Sequence, residues 1–449
     1  MYERRKVLEI FEAKKQETDK KIKEGIEQNR KGALSLSVTD KNGAPIKDAT
    51  VTVRQKTHAF RFGANLFMLD ELETPEKNRI YKERFPALFN MATLPFYWDA
   101  LEPTEGKPRY AKESERIYRR PAPDLCIEFC EKHGIEPREH ALAYENFFPK
   151  WLYGADVETI KAALERRYAE ISACYADKIP TIEVTNEMFW ERGKTAFYED
   201  PDYVEWCFRL AEKYFPNNQL VINDATPWGW YGNCRTTDPY YAYTEATLLK
   251  GARIDAIGMQ FHMFISREKE YEETRPYYDP EKLYAHMDMF SRFGKPLQIT
   301  EITVPSYSWE KEDEEIQADI LEYLYSIWFS HPAVEQIVYW NLIDGYAHVW
   351  DPDPAVIAAS QGNMTLGENY YHGGLLRFDL SEKPAFRTIR DLFQKEWHTE
   401  VTAQTDASGA LSFRGFYGDY EVTVTHGGKT ETQTLHFSAR GDADLKITV

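Results

Sequence analysis

Cysteine is scarce in this sequence, and its spacing excludes the common cysteine-based sites. The chain has 449 residues and five cysteines, an odd number without the spacing of metal ligands or a disulfide framework. Cys126 and Cys130 lie four residues apart, which puts them on one face of a predicted helix. We therefore expect buried free thiols, as in a reducing compartment, at Cys126, Cys130, Cys174, Cys207 and Cys234.

Positive charge is also in short supply. Lysines and arginines number 55 against 73 aspartates and glutamates, which gives a formal net charge of −18. Nucleic acids and anionic membrane surfaces are bound by basic patches. The composition therefore argues against both as partners, whereas a neutral or cationic ligand is compatible with it.

Long apolar runs are missing as well. Nothing in the chain approaches the ~20 consecutive apolar residues of a membrane span, so we expect no membrane insertion. The N-terminus, MYERRKVLEIFEAKKQ, is charged where a signal peptide would be apolar. We expect a cytoplasmic protein if the chain is complete as given, and a secreted one if a signal peptide was removed.

Aromatic side chains are what the sequence has in abundance. Its 29 tyrosines, 25 phenylalanines and 11 tryptophans make up 14% of the residues. Most of them must belong to the core. A surplus of tryptophan and tyrosine also suits stacking against the apolar faces of sugar rings.

The two ends of the chain together predict a small β domain. Residues 1–33 place apolar side chains at helical spacing and predict one charged helix. Residues 34–57 contain two alternating runs around Asn42-Gly43, a strong hairpin signal, and residues 399–449 contain several more such runs. Because neither end has enough strands to bury two faces alone, we expect both to form one accessory β-sandwich.

Residues 58–398 have a different pattern. Strand-like runs recur about every 30–45 residues with helical segments between them, as in successive βα units. There are eight such runs: AFRFGANL, MATLPFYW, EPREHALAY, TIEVTNE, QLVINDA, DAIGMQFH, PLQITEI and EQIVYWNLI. Eight strands alternating with helices predict an α/β fold, the (β/α)8 or TIM barrel.

Active sites of such barrels lie at the C-terminal ends of the strands. Two carboxylates, Glu187 and Glu301, each follow an apolar run and so fall at the boundary between core and solvent. The other side chains at predicted strand ends are amides, imidazoles, carboxylates and aromatics: Asn65, Trp98, His140 to Glu145, Asn186, Asn223, Asp224, Gln260, His262 and Trp340. A strand-end glutamate alone is usually solvated or salt-bridged. The polar and aromatic side chains at the other strand ends are therefore what indicates a functional site.

Two carboxylates among amides and tryptophans match the needs of glycoside hydrolysis. One carboxyl must be protonated to release the leaving alcohol, and the other must be ionised to attack the anomeric carbon. Asparagine and glutamine hydrogen-bond sugar hydroxyls, and tryptophan provides a stacking surface.

The same segments resemble glycoside hydrolase family 10, the β-1,4-xylanase family, over about three quarters of the chain. The matching segments run in the family's order: FRFGAN, FNMAT…WDALEPTEGKPRY, REHALAYENFFPKWL, VTNE, IGMQFH, ITEI, YWNLID and LLRFDLSEKPAF. The resemblance implies a TIM barrel that hydrolyses a β-linked oligo- or polysaccharide without a cofactor or metal.

The resemblance also implies roles for individual residues. Glu187 would be the general acid/base and Glu301 the nucleophile of a retaining double displacement, with carboxyl groups about 5–5.5 Å apart. Asn186 would bind the sugar 2-hydroxyl. The family's remaining positions imply that His262 positions Glu301 with Gln260 beside it, and that His140 and Trp340 line the subsite of the reacting sugar. We expect a raised pKa for Glu187, and an ionised Glu301 held by His262 and other donors.

The sequence departs from the family pattern in the part that grips the sugar. The family's Glu-Asn pair and the lysine that follows it are replaced by TLPFYW, and Tyr144 and Glu145 stand where the family has Trp and His. Trp350 is the candidate for a displaced second tryptophan of the eighth strand. Asn65, Glu145 and Asn146 remain as polar candidates on the glycone side. We expect a preference shifted toward short or decorated chains, with the Glu145 carboxylate disfavouring an acidic sugar.

Three alternatives stay open at the level of sequence. The barrel could hydrolyse another or a decorated β-linked glycan, or it could be a carbohydrate-binding barrel without turnover, which the intact Glu187 and Glu301 pair disfavours. Asp351 and Asp353 in WDPDP suit calcium, but a short Asp-Pro repeat is better explained as a rigid loop. The sequence leaves open the exact glycan, endo or exo action, sugar binding by the sandwich and the oligomeric state.

Overall fold

A computed structural model describes residues 3–189, 195–225, 236–351, 353–439 and 444–449. The chain divides into two compact units, one of residues 1–14, 62–328 and 333–386, and the other of residues 15–61, 329–332 and 387–449. Within the described ranges, no helix combines the length and apolar character needed to span a lipid bilayer.

The N-terminal segment is interrupted, so the prediction of a single helix over residues 1–33 is wrong. A 3-10 turn, Arg4–Leu8, leads into a short helix, Glu9–Ala13. Lys14 then bonds back to the carbonyl of Phe11, the tighter pairing typical of a helix end. A second helix, Lys15–Asn29, follows, and strand β1 (Lys31–Thr39) begins before the predicted boundary, with β2 (Thr50–Gln55) next.

Eight parallel strands close into a barrel, which confirms the predicted fold class. Their order around the barrel is that of the chain, with the last strand pairing with the first. The strands have buried residues on both faces, as apolar and β-branched runs in parallel sheets do. They are β3 (Arg61–Asn65), β4 (Met91–Pro95), β5 (Glu136–His140), β6 (Thr181–Asn186), β7 (Gln219–Asp224), β8 (Ala256–His262), β9 (Leu297–Thr303) and β10 (Val334–Tyr339).

Helices connect successive barrel strands, and local signals in the sequence set their ends. The side chain of Asp156 accepts a hydrogen bond from the backbone of Thr159 at the start of helix Val157–Tyr175, a normal N-cap. Gly134 ends helix Pro123–His133 with a φ of 64°, a conformation that favours glycine. The other α-helices are Pro75–Arg84, Trp98–Leu101, Ala196–Glu199, Tyr203–Tyr214, Pro239–Leu249, Glu270–Glu273, Arg275–Tyr278, Pro280–Ser291, Lys311–Ser330, Pro354–Ala359 and Pro384–Asp391.

A few short turns complete the barrel unit and lead out of it. The 3-10 turns Glu145–Phe147 and Lys150–Leu152 follow β5, and Gly367–Tyr371 follows β10. The π-helical turn Leu392–Glu396 precedes the last group of strands.

The predicted accessory β-sandwich is present and is built from both chain ends. Its later strands are β11 (Glu400–Gln404), β12 (Ala410–Phe416), β13 (Gly418–His426), β14 (Lys429–Phe437) and β15 (Asp444–Thr448). One sheet has the order β12-β1-β15 and the other β11-β2-β13-β14. Alternate residues of both sheets, among them Leu36, Val51 and Val422, form one buried cluster, as period-2 patterning requires.

The cysteines differ from expectation at one described position. Cys126, Cys130 and Cys207 are free and buried, whereas Cys174 is free but exposed on helix Val157–Tyr175. Cys234 lies outside the described residues.

Candidate active site

A cleft of about 930 Å³ opens at the C-terminal ends of the barrel strands. Both predicted catalytic carboxylates, Glu187 and Glu301, line it. Glu187 comes directly after β6, half-buried, with a φ of 51°. A glutamate rarely adopts this left-handed conformation, which costs free energy and persists where the surrounding structure demands it.

Glu187 is held by one hydrogen bond to each carboxyl oxygen. The hydroxyl of Tyr144 donates to its Oε2, and the Gln260 side-chain amide donates to its Oε1 at 3.2 Å. Asn146 in turn donates to the Tyr144 hydroxyl at 3.2 Å. Tyr144 therefore contacts the predicted acid/base directly, although the resemblance pointed to it only as a departure from the family.

Glu301 accepts three hydrogen bonds. Asn223 and Gln260 donate to its Oε1 at 3.2 and 2.9 Å, and the His262 ring lies 3.2 Å from its Oε2. An ionised carboxylate has no proton to give, so His262 Nε2 donates and Nδ1 accepts from the Thr303 hydroxyl at 3.0 Å. His262 thus holds Glu301 in the way that the resemblance implies.

The amide of Gln260 connects the two carboxyls and limits their separation. Its Nε2 atom lies 3.2 Å from Glu187 Oε1 and 2.9 Å from Glu301 Oε1. These two oxygens can therefore be no farther apart than the sum of the two distances. Sharing one amide in this way is compatible with the ~5–5.5 Å carboxyl separation of direct nucleophilic attack.

Irregular pairing in two barrel strands brings the polar side chains together. The register shifts between Glu183 and Thr185 on β6, and between Met259 and Gln260 where β8 meets β9. Such bulges change which face a side chain reaches and are common beside active sites. As a result Asn186 joins Glu183 in one network: its Oδ1 accepts from Gln260 at 3.0 Å and from Asn223 at 2.9 Å.

Asn223 occupies the centre of this network because its neighbour on β8 is a glycine. A Cβ atom on Gly258 would lie 2.3 Å from Asn223 Oδ1, closer than real contacts allow. The Asn223 amide nitrogen donates to Glu183, Asn186 and Glu301, and its oxygen accepts from Thr300 at 2.7 Å. Sequence reasoning placed Asn223 at a strand end but gave it no role.

A buried ion pair lies beneath the carboxyls, and sequence reasoning missed it. Glu183 binds Arg138, accepts from Asn223 and lies 2.8 Å from His140 Nδ1. Burial would raise the pKa of Glu183, but the charges of Arg138 and His140 and its hydrogen bonds hold that pKa below its ordinary value. Arg138 lies in the middle of β5 and Glu183 in the middle of β6. At such positions a sequence pattern predicts apolar core residues.

The same hydrogen-bond network contains three residues whose side chains are of types that can bind a metal ion. Ligand atoms of His140, Glu183 and Glu301 lie within 4.8 Å of one another. The Nε2 of His140 lies 2.9 Å from the Tyr97 hydroxyl, and the carboxylates accept hydrogen bonds from Arg138 and Gln260. These atoms are thus engaged with protein partners, as expected of a hydrogen-bonded core network.

Aromatic rings form one wall of the cleft. Trp340 packs edge-on against His140 and Phe67, with centroids 5.3 and 5.2 Å away. Tyr97 contacts His140 and lies 4.1 Å from the Phe147 ring. The predicted His140 and Trp340 both line the cleft, and Tyr97 lines it beside them.

Three predicted binding residues do not line the cleft. Trp98 begins a helix after β4, is buried against Phe148 and Trp151, and donates to Glu102 at 2.9 Å. The residue before it, Tyr97, faces the cleft instead. The prediction for Trp98 is therefore wrong, because the chain turns into a helix at that residue.

Asn65 and Glu145 are the other two. Asn65 is 2% exposed at the end of β3, where its amide lies 3.5 Å from Asn341 Oδ1. Glu145 is 7% exposed, and its carboxylate accepts from the backbone of Thr195 at 3.2 Å. Both side chains bind protein groups behind the cleft wall. Asn146, by contrast, lines the cleft.

Trp350 lies at the cleft as predicted. Its side chain is 61% exposed and packs edge-on against Phe264 at 6.4 Å. An exposed tryptophan at the rim of a cleft offers a flat apolar face to a sugar ring.

Burial shifts the pKa values of the two carboxyls in the same direction. Burial raises the pKa of Glu187. It raises that of Glu301 well above the ordinary value, with His140 opposing the shift and the charges of Glu183 and Glu187 adding to it. Burial lowers the pKa of His262, so its neutral ring contributes a donor but no charge. That His262 and other donors hold Glu301 ionised stays a prediction, and burial together with the neighbouring carboxylates acts against it by raising the pKa of Glu301.

Two arginines line the cleft that sequence reasoning did not consider. Arg119 and Arg120 come from the segment before helix Pro123–His133, and both reach the wall that holds Tyr97. Because they belong to an irregular segment, no periodicity marks them. Lys150, His348 and Glu368 also line the cleft and were likewise missed.

A pair of carboxyls joined by one amide, at the mouth of a (β/α)8 barrel with aromatic walls, defines a glycosidase-type site. The sequence signature of Glycosyl hydrolase family 10 matches residues 59–391. The chain belongs to glycosyl hydrolase family 10, a family of glycosidases.

Curated relatives are similar over most of this chain but are longer. The anti-sigma-I factor RsgI6 of Acetivibrio thermocellus is 28% identical over 432 residues, which cover 95% of this chain and 49% of that protein. Endo-1,4-beta-xylanase 2 of Arabidopsis thaliana is 24% identical over 400 residues, which cover 88% of this chain and 32% of that protein. The chain thus spans about a third to a half of the length of these relatives.

Solved structures share the barrel fold. Native xylanase 10B from Thermotoga maritima matches with a TM-score of 0.58 at 20% identity, over 75% of this chain and 96% of that chain. Xylanase 10B from Thermotoga petrophila in complex with xylobiose matches with a TM-score of 0.58 at 20% identity, over 75% and 95%. Likeness at this level of identity establishes the fold.

Proposed function

We propose that the protein is a retaining glycosidase that cleaves β-1,4-xylosidic bonds of xylan or xylo-oligosaccharides by a two-glutamate double displacement. The observation that carries this proposal is the amide of Gln260, which donates to both Glu187 and Glu301. One amide shared by one oxygen of each carboxyl supports a pair close enough for direct attack on the anomeric carbon.

The first half of the reaction uses one proton held by the carboxyl pair. Burial raises the pKa of Glu187, which favours the protonated form that a general acid needs. Glu301 attacks the anomeric carbon as a carboxylate, and the bond to the leaving oxygen breaks. Glu187 gives its proton to that oxygen, so the leaving sugar departs as a neutral alcohol.

The second half regenerates both groups. Glu187, now ionised, takes a proton from water while the water oxygen attacks the anomeric carbon. The ester bond to Glu301 breaks, and Glu301 leaves as a carboxylate. The Tyr144 hydroxyl and the Gln260 amide support Glu187 while it is ionised. Two inversions at the same carbon give net retention.

Xylan is the favoured substrate because relatives and structural neighbours carry the name xylanase, one of them in complex with xylobiose. The aromatic wall of Tyr97 and Trp340 and the exposed Trp350 suit a chain of sugar rings. Tyr97 belongs to the segment that replaces the family's Glu, Asn and Lys. A short or decorated β-linked glycan is therefore the alternative substrate.

A second candidate of another class is a carbohydrate-binding barrel without turnover. It is favoured by one observation, the similarity of nearly the whole chain to a protein named as an anti-sigma factor. The two candidates differ in whether bound xylo-oligosaccharide is consumed.

The test is a time course of xylo-oligosaccharide hydrolysis followed by proton NMR. Retention predicts that the β-anomer of the new reducing end appears first. Glu301→Gln should lower kcat at least about a thousandfold. Glu187→Gln should lower it about a hundred- to ten-thousandfold, and less on an aryl glycoside whose leaving group needs no proton. Glu158→Gln, on an exposed helix surface, is the matched control.

The results of this test distinguish the proposed hydrolase from the alternatives. An α-anomer formed first contradicts the double displacement, and full activity of Glu301→Gln contradicts the assigned nucleophile. Binding of xylohexaose without any hydrolysis by the unmodified protein supports the non-catalytic barrel instead.

A further inference from the structure

Arg120 is a buried cation in the cleft wall, and its partners are aromatic rings. It is 8% exposed and lines the cleft. Its guanidinium carbon lies 4.0 Å from the centroid of the Tyr97 ring, 5.1 Å from that of Phe147 and 5.5 Å from that of Phe67. Stacking of this kind fixes the plane of a guanidinium and leaves its N–H edges available.

Among the described residues, the side chain of Arg120 donates one hydrogen bond. Its Nη1 donates to the carbonyl of Arg119 at 2.9 Å. The charge of Asp99 acts on Arg120, but among the described residues no carboxylate lies within ion-pair distance of its guanidinium. An arginine has five N–H donors in a planar fork, and a buried charge is normally paired. Arg120 therefore presents N–H donors to the cleft in addition to its long-range interaction with Asp99.

The surroundings of Arg120 are positive. Arg119, 5% exposed, donates to Asn341 Oδ1 at 2.7 Å and to the carbonyl of Tyr346, while its Nε has no partner among the described residues. Burial and the charges of both arginines lower the pKa of the nearby His348 to about 3. The ring of His348 is therefore neutral.

Two carboxyls on the same wall only partly offset these charges. Burial raises the pKa of Asp99 to about 6, although Arg120 opposes the shift. Burial also raises the pKa of Glu368, which Arg119 and His262 oppose. Burial lowers the pKa of Arg120 to about 10, which still leaves it charged at neutral pH.

We propose that Arg120, with Arg119 beside it, forms a subsite for a sugar carboxylate next to the reacting sugar. The planar fork of a guanidinium matches the two oxygens of a carboxylate. The ring of Tyr97 connects the subsite to the catalytic centre, because its hydroxyl lies 2.9 Å from His140 Nε2. The ligand is thus a uronic acid residue of a β-linked glycan, as a branch or as a terminal sugar.

This inference rests on the proposed function and makes it more specific. It reverses the expectation that Glu145 repels acidic sugars, because the Glu145 side chain lies behind the cleft wall. By the family resemblance, TLPFYW lies on the glycone side, so Arg120 lies beside the segment where the family would use glutamate, asparagine and lysine to hold xylose. A cation there selects for charge rather than for hydroxyl geometry.

The first experiment uses the unmodified enzyme and matched substrates. Xylo-oligosaccharides of equal length carry one glucuronic acid, either as a branch or at the non-reducing end, and each is compared with the same compound whose carboxyl is reduced to an alcohol. We expect kcat/KM to be at least about tenfold higher for the acid in one of the two positions. The responding position identifies the branch or the terminal sugar. Equal values for acid and alcohol in both positions overturn the proposal.

The second experiment assigns the preference to Arg120. In Arg120→Gln the ratio of kcat/KM for acid over alcohol should fall about tenfold or more, through KM, and Arg120→Lys should restore part of it because the charge remains. Arg79→Gln, an exposed arginine on helix Pro75–Arg84, should leave the ratio unchanged. An unchanged ratio in folded Arg120→Gln, judged by circular dichroism, contradicts the role of Arg120.

A binding measurement separates failure of this subsite from failure of the proposed function. If no xylo-oligosaccharide is hydrolysed, the proposed function is wrong, and calorimetry with the Glu301→Gln variant still compares the acid with the alcohol. Tighter binding of the acid by at least about tenfold supports the subsite, and equal binding overturns it.

Discussion

The hydroxyl of Tyr144 gives the most direct test of how the cleft controls its acid/base. It donates to Glu187 Oε2, and this bond lowers the pKa of Glu187 against the rise that burial causes. Tyr144→Phe removes the donor and keeps the ring. A hydrogen bond to a charged group contributes about 1.5–3 kcal/mol, and one pKa unit corresponds to about 1.36 kcal/mol. Since Gln260 still donates to Glu187, we take the lower end and expect a rise of about one unit.

The assay is the pH dependence of kcat/KM, which reports the groups of the free enzyme. Glu187 must be protonated to act as an acid, so a higher pKa keeps it active to higher pH. The alkaline limb should therefore move up by about one unit in Tyr144→Phe. The matched control is Tyr214→Phe, which deletes a hydroxyl that donates to Glu165 at 3.0 Å on the helix surface. An alkaline limb that stays in place, or moves to lower pH, would refute the reasoning.

Three further results are expected from the packing. Glu183→Gln leaves Arg138 without its buried partner, so chemical denaturation should show a free energy of unfolding lower by about 3–5 kcal/mol. The control Glu165→Gln should stay within about 0.5 kcal/mol of the unmodified protein. An equal effect of the two variants would count against the buried ion pair. Leu36→Ala, in the sandwich core, should cost about 2–5 kcal/mol, and loss of less than 1 would contradict that packing. Deletion of residues 399–449 uncovers the apolar faces of β1 and β2, so the truncated protein should aggregate. A soluble monomer in size-exclusion chromatography would contradict the shared packing of the sandwich.

The barrel could be predicted from sequence because most of its strands are buried on both faces. Such strands require continuous apolar and β-branched runs, and runs such as TIEVTN and LQITEIT are visible without any structure. The same property located Glu187 and Glu301, since an ionisable residue directly after such a run must lie where the core meets solvent.

Side-chain direction at the strand ends could not be predicted in the same way. Tyr97 and Trp98 are adjacent, and which of them faces the cleft depends on where β4 ends and the helix begins, a difference of one residue. Glu183 shares the network of Asn186 only because β6 contains a register shift. Neither feature leaves a periodic signal, because a single residue decides each of them.

Residues that come from loops were the least predictable. Arg119 and Arg120 reach the cleft through an irregular segment in which Arg119 has a φ of 62°, a conformation that non-glycine residues seldom adopt. Charged residues in such a segment usually face solvent. Only the assembled barrel brings them against Tyr97.

The pairing of the first and last strands of the sandwich has a consequence for synthesis. Thr39 on β1 and Thr448 on β15 contact each other although they are 409 positions apart. Since a ribosome adds about 5–20 residues per second, β1 waits on the order of tens of seconds for its partner. During that interval its apolar face lacks β15, the strand that pairs with it along Ser35–Thr39. Synonymous changes that slow translation of the codons for residues 399–449 should therefore lower the soluble yield without altering the folded protein.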